Sequence, residues 1–147
     1  MRDDERAVSV TVGYVLNFAV AAMLISGLLI AGSGLIESQT QQTTADELAV
    51  IGHQLADELS SADRLVRAGD VSSLAIRSDL PQRTAGGGYT IALEEDSDRW
   101  LITLRTTSPD VTVTVPVRLQ TDLREETVSG GPVRIEHESG QLVVTAR

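Results

Sequence analysis

From Val8 to Ile36 the chain runs 29 residues without an Asp, Glu, Lys, Arg or His, and Asn17 is the one strongly polar interruption besides small hydroxyls. A helix that spans a hydrocarbon core needs about 20 such residues. A buried core helix is the competing reading, but the rest of the chain is too short, and at 3% aromatic too poor in large side chains, to enclose every side of a helix this long. The run therefore predicts one transmembrane helix over 8–36.

Cations near the ends of a span set its direction. Arg2 and Arg6 precede the run and no Arg follows it until Arg64. The N-terminus is thus expected in the cytoplasm and the C-terminal domain outside the cell membrane, while the acids Asp3, Asp4 and Glu5 count for little in that rule. A cleavable secretory signal would need a basic n-region and an apolar core of about 7 to 15 residues. Here the apolar run is far longer and the leader is more acidic than basic, so loss of the helix at the small residues Ala31-Gly32-Ser33 is not expected.

Charge narrows the partners. All twelve cationic side chains are Arg, none is Lys, and from Glu37 onward 18 acidic residues face 10 Arg, a net charge of -8. An acidic, lysine-free surface suits a halophilic protein solvated in concentrated salt, where self-repulsion is screened. An ordinary acidic extracellular domain normally keeps some Lys. No nucleic-acid partner is expected, because phosphates call for a basic patch. The chain has no Cys, which removes disulfides, thiolate metal sites and a cysteine nucleophile.

At the membrane boundary, Arg6-Ala7-Val8-Ser9 followed by VTVGYVLNFAVAAMLISGLLIAGSG resembles the class III signal peptide of archaeal type IV pilins and archaellin-like proteins. The stretch RAVSVTVGYVLNFAV is similar to pilin-like proteins of salt-loving archaea. The resemblance implies a cytoplasmic leader, 1–7, removed by a prepilin peptidase. Arg6 would be the charged recognition position, Ala7 the last leader residue and Val8 the new N-terminus. It also implies other pilin-like subunits as partners. Val12 stands where bacterial pilins carry a Glu at the fifth mature position, a departure that leaves docking to apolar packing.

The span is rich in small residues. Ala22 with Ser26, and Gly27 with Ala31, form one-turn pairs that let helices approach closely, and under a filament reading they are the subunit-packing surface. Asn17 either hydrogen-bonds across such an interface or is satisfied near the membrane surface. Gly32-Ser33-Gly34 is expected to bend or locally unwind the helix.

Residues 37–69 read as a polar neck, with QTQQTT at 39–44, and an amphipathic helix over about 45–68 that ends at Gly69. Leu48, Ile51, Leu55, Leu59 and Ala62 recur at helical spacing, continued by Leu65 and Val66, with Asp46, Glu47, Asp57, Glu58 and Asp63 on the other faces. This stripe reads as core packing on a sheet rather than a partner groove, with His53 off the stripe and either exposed or facing the neck. Residues 70–88 form a linker whose Gly86-Gly87-Gly88 reads as flexible, since a phosphate-cradling loop needs a following helix and a Lys.

From 89 to 147 the period changes to two. Tyr89, Ile91 and Leu93, then Trp100, Ile102 and Leu104, then Val111, Val113, Val115 and Val117, then Val133 and Ile135, and a last short strand at 142–144 alternate with polar residues between turns. Pro116 places the third of these at a sheet edge or a bulge. The expected fold is α+β and pilin-like: a long N-terminal transmembrane helix, an amphipathic helix, then a small antiparallel β-sheet of about five strands.

Chemistry is sparse. His53 and His137 fall in different elements, and no HxH or HExxH spacing exists. The acidic turn at Asp96-Ser97-Asp98, with Glu94 and Glu95, reads as solvated surface rather than a calcium loop. No catalytic, cofactor or metal site is legible, so an enzyme is not expected. The expected function is a structural subunit of a type IV pilus-like surface filament or pseudopilus, assembled through its N-terminal helix. The alternative is a single-span anchored extracellular binding domain that does not polymerise.

Overall fold

The computed structural model describes residues 2–69 and 73–147, with side chains from residue 11 onward. Its first element is α1 (Arg2–Ala68), and the chain divides into two compact units, Met1–Ser38 and Gln39–Arg147. In the first unit, the 32–34 triplet expected to unwind is α-helical. Ser33 Oγ donates to Ile30 O at 2.9 Å and Ser26 Oγ to Ala22 O at 2.8 Å. Both hydroxyls are therefore satisfied one turn back along the helix, without drawing on backbone groups outside it.

In the second unit the neck, 39–44, is also helical, and α1 stops at Ala68, next to Gly69. Leu48, Ile51, Leu55, Leu59 and Ala62 are all buried, as the stripe predicts. Of the two residues that continue it, Val66 is half-buried and packs against the core, whereas Leu65 is 49% exposed. Gly52 lies on the same face, where a Cβ would come within 2.7 Å of Val115 Cγ2 and 2.9 Å of Leu104 Cδ1. Only a residue without a side chain lets helix and sheet come this close.

Eight strands follow where the alternation predicts about five. They are β1 (Ala75–Ser78), β2 (Tyr89–Asp96), β3 (Arg99–Thr107), β4 (Asp110–Val117), β5 (Asp122–Leu123), β6 (Glu126–Ser129), β7 (Val133–Glu138) and β8 (Gln141–Ala146). They make two four-stranded sheets, ordered β4-β3-β2-β6 and β1-β7-β8-β5. All pairings are antiparallel except that of β5 with β8. The α+β class with a long N-terminal helix therefore holds, but the sheet is split. The β7–β8 hairpin pairs with β1, a strand drawn from the predicted linker, rather than extending β2–β4; residues 70–72 of that linker lie outside the described residues.

One core serves the unit. Leu55 and Leu59 of α1, Ile91, Ile102 and Leu104 of one sheet, and Ile135, Leu142 and Val144 of the other are all fully enclosed. Each such side chain contributes about 1.5–3 kcal/mol on leaving water.

Pro116 sits on β4, an edge strand. Tyr89 O accepts from Gly130 N at 2.7 Å, so the odd residues of β2 bond toward β6 and the even ones toward β3. Carried across the continuous registers, odd residues of β4 bond to β3 and even ones, Pro116 included, face outward. The proline therefore removes no ladder donor and blunts the edge against foreign strands.

The triple glycine is an ordered turn. Thr84 N donates to Gly87 O at 2.8 Å and Gly87 N to Thr84 O at 2.9 Å, while a Cβ on Gly86 would lie 2.8 Å from Thr44 Cγ2. Beyond it Tyr89 is buried, and its Oη donates to Pro81 O at 2.7 Å. Burial pushes the phenol above its usual pKa, with a backbone hydrogen bond from Gly131 pulling the other way. A raised folded-state pKa stabilises below the unfolded value of about 10 and that stability drains away as pH rises past it, because the unfolded chain gives up its proton first. Urea midpoints read from Trp100 fluorescence fall more steeply above about pH 10 in the native chain than in Tyr89→Phe; equal slopes would remove Tyr89 as the cause.

Candidate functional site

His53 is exposed and His137 half-buried on β7. Among the described residues no group of three or more His, Cys, Asp or Glu is placed to hold a metal ion. Asp96, in the acidic turn, pairs with Arg99 at 3.5 Å. A shallow depression of about 520 Å³ is lined by residues including Val50, His53, Gln54, Asp57, Glu58 and Ile76. Along it Gln54 Nε2 donates to Glu58 Oε1 at 3.2 Å, and the hydroxyl of Ser61, which also lines it, donates to Asp57 O at 2.8 Å.

The feature without a structural explanation inside the chain is the helix of the first unit. Among the described residues it is the one helix long and apolar enough to cross a membrane, and none of its apolar window is buried. Tyr14, Met23 and Ile30 are each at least 75% exposed. Such a surface does not persist in water uncovered, and its dimensions suit a single-pass membrane anchor.

Ala22, Ser26, Gly27 and Ala31 all lie on this helix and all are exposed. They do not share one face. At about 100° per residue the Ala22/Ser26 pair and the Gly27/Ala31 pair point about 140° apart. Ser26 Oγ already donates its one hydrogen to Ala22 O, so that pair has no side-chain donor to offer a neighbour. The side chains of Arg6, Ala7 and Val8 lie outside the described residues.

One residue with a structural task escapes the periodicity argument. Asp63, placed on the solvent side by that argument, is buried, and its Oδ1 accepts from Gln120 N at 3.2 Å and Thr121 N at 2.8 Å. Its Oδ2 lies 3.9 Å from Arg67. The signal was available: position 63 lies about 40° from position 59 on a helical wheel, on the side away from 66 and at the margin of the apolar stripe. The carboxylate ties the segment after β4 to α1.

No curated protein and no solved structure matches the chain. A family model matches residues 3–147, the helix and both sheets together, and the chain therefore belongs to that family of unknown function (DUF7266).

Proposed function

We propose that this chain is a pilin-like structural subunit of a type IV pilus-like surface filament or pseudopilus. In this reading the leader is cut between Ala7 and Val8, the helix stays in the membrane, and the two-sheet unit stands outside. The observation that carries the reading is the contrast between the two units: the C-terminal one closes its own core, whereas the helix from residue 11 to 36 buries nothing. A helix that needs company and a domain that does not are what a subunit polymerised through its helix requires. The Arg6-Ala7-Val8 junction supplies the step that frees the helix, and Arg2 and Arg6 hold the leader inside.

Mass spectrometry of the membrane form tests the cut. The expected mature chain begins at Val8, and a chain that still begins at Met1 or Arg2 sinks the processing step. Ala7→Glu, which puts a bulky charge at the cut position, retains the leader and abolishes sheared filaments seen by electron microscopy. Wild-type cells with a single-span protein and no filament would point instead to an anchored binding domain.

A further inference from the structure

We propose that Asn17 pairs with Asn17 of a second copy across a helix seam formed by Gly13, Asn17, Val20, Leu24, Gly27 and Ala31, and so sets the register in which two copies meet in the membrane. The proposal rests on the membrane-inserted reading above. These six residues recur at spacings of four and three. That is the repeat of a left-handed helix pair, in which one stripe of each helix stays against its neighbour. All six are helical and exposed. The seam includes the Gly27/Ala31 pair and excludes Ala22/Ser26, whose hydroxyl is already satisfied.

Asn17 is the odd member. It lies about 7.5 Å from the midpoint of the charge-free run at 1.5 Å per residue, well inside a hydrocarbon layer whose half-thickness is about 15 Å. Among the described residues its amide has no hydrogen-bond partner; Ser26 and Ser33 use theirs on the helix backbone. Tyr14 is nearer the end of the run, where a phenol reaches the interface. An amide unpaired in hydrocarbon is unfavourable by several kcal/mol.

A second copy is the occupant that answers this need. Every copy inserts in the same direction, so identical residues lie at identical depth. A carboxamide is both donor and acceptor and therefore complements itself. Gly13, Gly27 and Ala31 let the two backbones come close enough for the amides to meet. A single Asn on an otherwise apolar seam also disfavours every shifted register, because a slip leaves both amides unpaired.

The chain has no cysteine, so single-cysteine variants of the full chain in phosphatidylcholine vesicles report contacts directly. Under mild oxidation Val20→Cys and Leu24→Cys give disulfide dimers, and Ala22→Cys and Ser26→Cys give about tenfold less. Adding Asn17→Leu to Leu24→Cys lowers dimer about tenfold, and Asn17→Gln in the same background restores it. Dominant cross-linking at Ala22→Cys and Ser26→Cys, equal yield at all four positions, no dimer at any, or a Leu24→Cys dimer indifferent to Asn17→Leu would each overturn the proposal. Resistance to carbonate extraction reads insertion separately. Filament micrographs and the mature N-terminus read the subunit hypothesis, so helix pairing and filament assembly can fail independently.

Discussion

Truncating Leu55 to alanine lowers the unfolding free energy of the C-terminal unit by about 4 kcal/mol. Leu55 is fully buried on the face of α1 that packs against the strands. The loss combines the transfer free energy of the missing carbons with the cavity they leave. Collapse cannot fill that cavity, because Gly52, one turn away, already brings α1 into contact with Val115 and Leu104. A domain of this kind has a total stability of about 5–15 kcal/mol, so the variant forfeits a quarter or more of it. Urea unfolding of the full chain in detergent, followed by the fluorescence of Trp100, the single and buried tryptophan, measures the change. A loss under about 1 kcal/mol, the size of a surface change, would mean that Leu55 does not face the core.

The second large effect belongs to Asp63. Asp63→Ala costs about 3 kcal/mol, because two backbone amides, Gln120 and Thr121, lose a charged acceptor in a half-buried setting. The ion pair with Arg67, at 3.9 Å and with a guanidinium 48% exposed, adds little. Asp63→Asn separates the two contributions. A single oxygen, Oδ1, receives both amides, so an asparagine carbonyl in the same place keeps the geometry and loses only the charge. Its expected loss is about 1 kcal/mol, and equal losses for the two variants would show that charge, not hydrogen-bond geometry, holds the segment. Hydrogen exchange at Gln120 and Thr121 accelerates in Asp63→Ala before the rest of the unit responds.

These two residues mark how far one-dimensional pattern reaches. Leu55 was legible because helical periodicity needs only the spacing of apolar residues, and its burial follows wherever that stripe is covered. Asp63 was not, because a polar residue at the margin of a stripe is buried only if a distant backbone segment arrives to satisfy it. The same limit applies to the sheets. Alternation located β2, β3 and β4, since each strand carries its own inward and outward faces, and the missing amide of Pro116 narrowed β4 to an edge or a bulge, of which the structure shows the edge. The short strands β1, β5 and β6 span two to four residues, too few for a period to declare itself, and exist because neighbours supply their hydrogen bonds.

The candidate site divides in the same way. That the helix from Val8 to Ile36 cannot remain in water is a property of its composition, independent of any neighbour. Which side of it is closed and which open is not: Ser26 and Ser33 turn their hydroxyls back to Ala22 and Ile30, while among the described residues Asn17 has no hydrogen-bond partner on its four-three seam. By itself the sequence determined a long apolar helix, an amphipathic continuation and strands of period two, because each depends on residues close together in the chain. Tertiary structure alone decided the division into two sheets, the recruitment of the linker as β1, the clamp at Asp63 and the ordering of the glycine turn against Thr44, because each is a contact between distant segments whose closing entropy only the assembled core offsets.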